Sequence, residues 1–268
     1  MPDLKDIRKN PLFRRLCSEA AKTAAKFNML QDGDRVLVGI SGGEDSLTLM
    51  HVLDNLRIRT PFHFTLHAAT VDMDFTTFDV SALEEYCRRF DWDWRCVRIS
   101  GGQQLLKEKN AEERPCALCS RLRRGQLHAV ADSLGCNKIA LGQQLDDLCA
   151  SLLMSLFRGG GLKTMGPNVP ADAASKRLIR PLCTIRKSMI HEFAAFMEYP
   201  KVRSCPYEEK LAEDGDRAYV ERLLVSLEER FGDVKGAMLR SMSDVRLAHL
   251  LDDRYLANDM TDPDTGKL

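Results

Sequence analysis

The chain has 268 residues, which is long enough for one sizeable core or for one domain with an accessory helical part. Its 39 lysines and arginines balance 39 aspartates and glutamates, and 44% of its residues are hydrophobic, so the composition excludes a disordered chain and gives no sign of a membrane span. The first residues lack the apolar run of a secretory signal, and we therefore expect a cytoplasmic protein with no membrane partner. Cysteines in that compartment are typical of thiols, redox chemistry or metal sites rather than disulfides.

The predicted elements begin with a helix over residues 11–30, where apolar residues recur at helical spacing. Basic residues outnumber acidic ones on its outer face. Such a face is usually only solvated, but it could also contact a nucleic-acid backbone. Residues 1–30 are thus predicted to form an N-terminal basic helix.

A glycine turn between a strand and a helix comes next. Residues 34–38 form an apolar run typical of a buried strand, and residues 47–53 favour a helix. The glycine and polar positions between them are Ser41, Gly42, Gly43, Asp45 and Ser46. Glycines let backbone amides approach a ligand closely, and a helix N-terminus favours an anion. The stretch predicts a phosphate-binding loop. It matches neither the Walker A pattern nor the dinucleotide-binding pattern. The alternative is a turn whose glycines and serines serve the backbone geometry alone.

A second strand is predicted over residues 63–71 and leads into Asp72. Ligands of open parallel sheets bind beyond the carboxyl ends of the strands, so we expect Val71 and Asp72 to lie beside the phosphate loop. Asp74 could position a metal ion or a ribose hydroxyl, or could instead cap the next helix. A helix and a strand follow within residues 81–99, and this alternation is typical of a doubly wound α/β sheet.

A Cys-x-x-Cys pair, Cys116 and Cys119, stands at the start of a predicted helix. Two thiolates at this spacing can reach one metal from a single turn or can form a redox pair, and a helix N-terminus lowers the pKa of a thiol. Arginines follow at positions 121, 123 and 124. They would form either a solvated helix face or contacts to phosphate.

A strand predicted over residues 138–142 ends at Gly142, and two adjacent carboxylates, Asp146 and Asp147, open the next helix. Carboxylates at this edge of a sheet suit magnesium or a metal-bound pyrophosphate. The alternative is a charged helix start that complements the helix dipole. A glycine-rich turn over residues 158–167 is a candidate substrate loop.

The remaining predicted elements are a strand over residues 177–182, a helix over residues 186–196, and helices over about residues 211–231 and 234–251. The whole order predicts an α/β fold with a doubly wound, mostly parallel, five-stranded sheet, helices on both faces and extra C-terminal helices.

These motifs together resemble the tRNA 2-thiocytidine biosynthesis family of PP-loop ATP pyrophosphatases. The resemblance rests on the Ser-Gly-Gly-x-Asp-Ser loop at residues 41–46, the cysteine-rich segment 115–125, Asp146-Asp147, Arg180-Pro181-Leu182 and Ser204-Cys205-Pro206. It extends from Phe13 to Leu251. It implies that residues 31–200 form the ATP-binding domain of adenine-nucleotide type, and that residues 201–268 form a helical region carrying a third cluster cysteine.

The resemblance also implies a reaction, in which ATP drives the replacement of the 2-oxo group of cytidine by sulfur at tRNA position 32. The implied cofactors are ATP, Mg²⁺ and a 4Fe–4S cluster. The implied partners are tRNA and a cysteine desulfurase or another sulfur donor. The oligomeric state that we consider for this chain is a homodimer.

The resemblance assigns roles to individual residues. Catalytic roles fall to Asp45, Cys116, Cys119 and Cys205, with the three cysteines holding the cluster, and Asp147 is implied to bind magnesium. The residues implied to bind the nucleotide are Ser41, Gly42, Gly43, Asp45, Ser46, Val71, Asp72, Gly142, Asp146 and Asp147. The other six cysteines are expected to be buried small hydrophobic residues.

The chain departs from the family pattern at three places. The segment after Cys205 lacks the second cysteine of a Cys-x-x-Cys pair. Glu44 stands where the family has lysine, and Gln143-Gln144-Leu145 stand where it has His-His-Arg, so several positive or imidazole groups are missing. Three alternatives follow. The chain could be a PP-loop sulfurtransferase for another acceptor, a catalytically inactive nucleotide- or metal-binding regulatory protein, or an enzyme with structural zinc at its cysteines.

Overall fold

The computed structural model describes residues 2–108, 115–171, 176–202, 205–207, 211–213 and 215–252, and Ser204 of the Ser-Cys-Pro motif lies outside these ranges. The helices are α1 (Leu4–Lys9), α2 (Pro11–Lys26), α3 (Glu44–Arg59), α4 (Val80–Arg89), α5 (Gly102–Glu108), α6 (Pro115–Ser133), α7 (Leu145–Phe157), α8 (Lys187–Met197), α9 (Asp216–Phe231) and α10 (Val234–Ser243). The strands are β1 (Arg35–Gly39), β2 (Thr65–Asp72), β3 (Trp94–Arg98), β4 (Lys138–Ala140), β5 (Asn168–Pro170) and β6 (Arg177–Ile179).

The strands form one sheet in the order β3-β2-β1-β4-β6-β5. All neighbours pair in parallel except β5, which runs antiparallel to β6. The predicted α/β, mostly parallel fold is therefore confirmed. The predicted number of five strands is wrong by one, because β5 has only three residues, ends in proline and directly follows the glycine-rich segment that we interpreted as a loop.

The point at which the strand order reverses lies beside β1. β2 pairs with one side of β1 and β4 with the other, so a crevice opens at the carboxyl end of β1. In that register Gly39 lies opposite Ala69, and Val38 lies opposite Ala140. The segments that follow β1, β2 and β4 are thereby brought to one edge of the sheet.

Helices cover the sheet on both faces. Leu37 of β1 packs in a cluster with Val130 and Ala131 of α6, whereas its neighbours Val36 and Val38 point to the opposite face because side chains alternate along a strand. On that other side, α3 contacts β1 and β2 and packs against α2 and α8. These contacts fix the positions of α3 and α6, the two helices that begin at the predicted loop and cysteine motifs.

Two predicted helices have different bounds in the structure. The predicted helix over residues 11–30 is α2, which ends at Lys26 and is preceded by the short α1. Asn10 separates the two, because its side-chain oxygen accepts hydrogen bonds from the amides of Leu12 (2.8 Å) and Phe13 (3.1 Å) and so caps α2. The predicted helix over residues 234–251 ends at Ser243 as α10, and a short 3₁₀ turn, Leu247–His249, follows.

Residue contacts divide the chain into two compact units, residues 1–222 and residues 223–268. The first contains the whole sheet and the predicted site residues. The division at residues 30 and 200 proposed from the sequence stays a prediction. Among the described helices, none combines the length and the apolar character needed to cross a lipid bilayer.

Candidate functional site

The predicted phosphate loop is a tight turn between β1 and α3, held together by its own polar atoms. The Ser46 hydroxyl accepts a hydrogen bond from the Ser41 amide (3.1 Å) and donates one to the Gly43 carbonyl (2.9 Å). Gly42 has a φ of +87°, a conformation that a side chain disfavours. The helix cap is Gly43 rather than Ser41, Asp45 or Ser46, and within the described residues no side chain caps it. The first amides of α3 therefore remain available to an anion.

Gly142 supports this loop from the end of β4. A Cβ atom added at Gly142 would lie 2.9 Å from the carbonyl carbon of Asp45 and 3.0 Å from the amide nitrogen of Ser46. Both atoms are backbone atoms and cannot move aside as a flexible side chain would. Gly142 thus lets the loop approach the end of the sheet closely. The sequence predicted that Gly142 contacts the nucleotide and did not predict this supporting role.

A Gly142→Ala substitution is accordingly expected to displace the loop. We expect it to destabilise the fold by about 1–3 kcal/mol through overpacking and to weaken ATP binding by at least about 10-fold. Calorimetric titration with ATP and a thermal melt measure the two effects. Gly125→Ala is the matched control, since an added Cβ there meets no atom within 4 Å and alanine favours the helix. Equal ATP affinity in both variants would contradict the role of Gly142.

Carboxylates converge on the same loop. The pKa of Asp45 is raised to about 6, first by burial and then by the nearby charge of Asp147. Asp147 accepts the Gln144 amide (3.0 Å), and the Gln144 side chain accepts the Asp146 amide (2.7 Å), so the two residues form a reciprocal cap of α7. Asp146 accepts the Lys187 amide (2.9 Å). The interpretation of Asp146 and Asp147 as a charged helix start is therefore partly correct, because both carboxylates accept backbone hydrogen bonds near the start of α7.

Positive charge reaches these acids from distant parts of the chain. Arg217 of α9 forms an ion pair with Asp147 and a second one with Glu221 (2.9 Å). The charges of Lys187 and Arg217 also lower the pKa of Asp45, against the larger effect of burial. Glu44, at the position where lysine was expected, pairs with His191 of α8 at 2.8 Å. The loop therefore faces cations from α8 and α9 instead of carrying its own.

The acids after β2 have mainly structural partners. Asp72 is buried, and its carboxylate accepts hydrogen bonds from Arg98 (2.8 Å) and from the Asp74 amide (2.8 Å). Asp74 accepts the Gly101 amide (3.0 Å), whereas the cap of α4 is Asp79. The suggestion that Asp74 caps the next helix is therefore wrong, and Val71 is the residue of this group that lines the cavity described next.

A cavity of about 480 Å³ lies where the loop, the sheet edge and α6 meet. From the loop it is lined by Gly39, Ile40 and Ser41, from α6 by Cys116, Cys119, Ser120, Arg123, Arg124, Leu127 and His128, and from the following segments by Gln143, Arg180, Cys205 and Tyr207. All three predicted cluster cysteines thus face one cavity together with the start of the predicted phosphate loop.

Apolar packing brings Cys205 to the start of α6. Met73, Phe75 and Leu106 form a buried cluster, against which both Cys119 and Tyr207 pack. Burial raises the pKa of Cys119, and the charges of Cys205 and Cys116 raise it further, while Arg123 lowers it. Burial and the charge of Cys205 likewise raise the pKa of Cys116, whereas Arg123 and Arg217 lower it. The three thiols therefore lie close enough to interact electrostatically.

The cysteines surround the cavity loosely. Within the described ranges, no three Cys, His, Asp or Glu side chains lie close enough together to enclose a single metal ion.

The other cysteines behave as expected with one exception. Cys17, Cys87, Cys136, Cys149 and Cys183 are buried, whereas Cys96 on β3 is exposed, so the expectation that Cys96 is a buried hydrophobic residue is wrong.

Comparison with known proteins shows the family to which this chain belongs. A family model described as the PP-loop domain matches residues 16–201. The tRNA-cytidine(32) 2-sulfurtransferase of Syntrophotalea carbinolica is 35% identical over 241 residues, which cover 90% of this chain and 93% of the relative. The enzyme of the same name from Geobacter metallireducens is 36% identical over 245 residues, which cover 90% and 93%. This chain belongs to the tRNA-cytidine(32) 2-sulfurtransferase family. The resemblance inferred from the motifs is thereby confirmed.

A solved structure extends the comparison of this sulfurtransferase-family member to its fold. The U34-tRNA thiolase NcsA from Methanococcus maripaludis, described with its 4Fe-4S cluster, aligns with a TM-score of 0.67. The alignment covers 87% of this chain and 78% of the thiolase, at 20% sequence identity. The two chains share the PP-loop fold.

Several residues of this family member that shape the site were not predicted from the sequence. Arg217 and Asp147 are 70 positions apart, and His191 and Glu44 are 147 positions apart, so no local pattern reveals either pair. Gln144 could have been found, because a polar cap residue followed three positions later by an acid is a known helix-start signal.

Proposed function

We propose that this chain uses ATP to activate the 2-oxo group of cytidine 32 in tRNA and replaces that oxygen with sulfur. The observation that carries the proposal is the shared cavity, because one wall is the start of a phosphate-binding loop and another carries three thiols. Membership of a family whose relatives bear the name tRNA-cytidine(32) 2-sulfurtransferase supports the choice of acceptor.

Nucleotide binding falls to the loop and to the segments that touch it. The amides at the start of α3, together with the hydroxyl of Ser41, would bind the phosphates, while the Ser46 hydroxyl holds the shape of the loop. Val71 would contact the nucleoside from the end of β2. Asp45 and Asp147, whose charges oppose each other, would share a magnesium ion, which relieves that repulsion when it is bound.

The chemistry proceeds in two substitutions. The 2-oxo oxygen of the base attacks the α-phosphorus of ATP, a new oxygen–phosphorus bond forms, and pyrophosphate leaves. Sulfide from the sulfur donor then attacks C2, the C2–oxygen bond breaks, and AMP leaves with the original oxygen while a proton is released. No net oxidation or reduction occurs when the donor is sulfide. The loop stabilises the negative charge of the departing phosphates.

The three cysteines suit an iron–sulfur cluster. Thiolates are the usual ligands of such clusters, and here they line a cavity wider than a single ion requires. Cys116, Cys119 and Cys205 would hold the cluster, which when bound would keep a sulfide beside the activated base. Burial raises the pKa of Cys116 and Cys119, and the charge of Arg123 partly offsets this in favour of the thiolate forms that such ligation needs.

The decisive experiment measures pyrophosphate and thiolated cytidine with the purified, anaerobically handled chain. We expect pyrophosphate release to require tRNA with cytidine at position 32, and mass spectrometry to find 2-thiocytidine in that tRNA. Cells that lack the gene should lose this nucleoside. A protein that binds ATP without releasing pyrophosphate would support the regulatory alternative, and thiolation of a different nucleoside would support the alternative acceptor. The sulfur donor, the homodimer and the cytoplasmic location stay predictions.

A further inference from the structure

Two side chains of α6 carry buried polar atoms that no hydrogen bond satisfies. Nε of Arg123 and both ring nitrogens of His128 are inaccessible to solvent and lack a partner among the described residues. Such atoms cost stability, since each has lost its water without gaining a replacement. Both side chains line the cavity. Arg123 is half-buried with an unsolvated Nε, whereas Arg121 and Arg124 are exposed, as the interpretation of a solvated helix face requires.

The cavity around these atoms has the character of a nucleobase site. Its volume of about 480 Å³ falls within the range of roughly 300–1,000 Å³ typical of sites that enclose a small ligand. Leu127, Ile139 and Leu178 provide apolar surface on which a flat ring can pack. The Arg123 N–H can only donate, and so suits a carbonyl oxygen, whereas a neutral His128 ring offers one donor and one acceptor.

The position of Arg123 favours the acceptor base over the adenine of ATP. Arg123 follows Cys119 by one turn and Cys116 by two turns of α6, and all three line the cavity, so the guanidinium lies at the thiol side. Gly39 and Ser41 line the cavity at the phosphate loop. A base that first meets the α-phosphate and then a sulfide must lie between these two groups.

We propose that Arg123 and His128 form the binding site for the extruded acceptor pyrimidine, and that both side chains turn toward the cavity when the base binds, so that Arg123 donates to its 2-oxo group and His128 contacts another polar position of the ring. This inference rests on the proposed function, because it takes the acceptor from it. Extrusion costs unstacking energy, and the otherwise unsatisfied groups of the cavity would offset that cost. The two residues thereby position the oxygen that is to be activated.

The test compares two RNA hairpins that carry the tRNA anticodon stem-loop, one intact and one lacking only the base at position 32. We expect the parent protein to bind the intact hairpin about 10-fold more tightly. Arg123→Gln and His128→Phe should each reduce that ratio toward one, while ATP affinity changes less than twofold. Arg123→Lys, which keeps the charge near the thiols but loses the Nε donor, should behave like Arg123→Gln. Visible absorption and thermal melts verify that each variant retains its metal content and fold.

Matched controls come from elsewhere in the chain. His67 also has an unsatisfied buried ring nitrogen but does not line the cavity, and Arg57 lies on α3 in an ion pair with Asp54. His67→Phe and Arg57→Gln should leave the hairpin ratio unchanged. An unchanged ratio in the Arg123 and His128 variants would overturn the inference, and so would an equal loss of ATP affinity, which would place adenine at these residues. If the parent produced neither pyrophosphate nor thiolated RNA, the proposed function would fail, while the hairpin ratio would still decide the base site.

Discussion

Alanine at Cys116, Cys119 or Cys205 is expected to remove the iron from the protein and to reduce thiolation to background, with the fold intact. Each of these thiols borders the cavity, Cys116 is exposed, and Cys119 and Cys205 are only half-buried, so the fold should tolerate the loss of one thiol. A cluster held by three protein ligands does not survive the loss of one. Iron and acid-labile sulfide content, together with the visible absorption of anaerobically purified protein, measure the effect.

The control for these variants is Cys136→Ala. Cys136 is only 4% exposed and packs in the core cluster between the sheet and α6. Its loss is expected to lower the free energy of unfolding by about 1 kcal/mol without changing the iron content. Equal iron loss in all four variants would contradict the ligand assignment. A colourless parent protein that contains zinc would instead support the structural-zinc alternative.

Replacing Asp45 with asparagine is expected to lower the rate of pyrophosphate release by at least about 100-fold. Asparagine has nearly the same shape, so the loop should keep its hydrogen bonds between Ser41, Gly43 and Ser46. What disappears is the charge that we propose to share magnesium with Asp147. The measurement is a continuous pyrophosphate assay across magnesium concentrations. Asp54→Asn on the same helix, which breaks only an exposed-edge ion pair with Arg57, should retain full activity.

The same substitution should stabilise the nucleotide- and magnesium-free protein. The pKa of Asp45 is raised from 3.8 to about 6, so the folded state binds more protons than the unfolded state between these values. Stability contributed by the protonated form is therefore lost as the pH rises through that window. At pH 7.5, Asp45→Asn should raise the free energy of unfolding by about 1–3 kcal/mol, and the difference should vanish below pH 4. Thermal melts at both pH values measure it. A variant that is less stable at pH 7.5 and active would show that Asp45 is a structural residue.

Local patterns predicted the elements around the site well. The apolar run before the glycines is β1, the helix after them is α3, and the Cys-x-x-Cys motif opens α6. These predictions succeeded because strand, turn and helix start each depend on a few neighbouring residues. The short edge strand β5 escaped because three residues carry too little pattern to distinguish them from a loop.

Longer-range features could not be predicted from local patterns. The sheet order, the approach of Gly142 to the loop, and the pair formed by Glu44 and His191 depend on contacts between distant segments. Glu44 illustrates the difference between what a local pattern and what the fold can show. The sequence indicates that a cation is missing there, but only the fold shows that α8 and α9 bring Lys187 and Arg217 near the same acids.

The ion pair between Arg217 and Asp147 bears on how this protein can be shortened. The PP-loop match ends at residue 201, yet a guanidinium from residue 217 balances an acid beside the loop. A fragment that stopped at residue 201 would keep every strand of the sheet but would lose both this counter-charge and Cys205. We therefore expect the smallest working enzyme to be longer than the domain that identifies its family, and truncations planned from the family boundary to yield folded but inert protein.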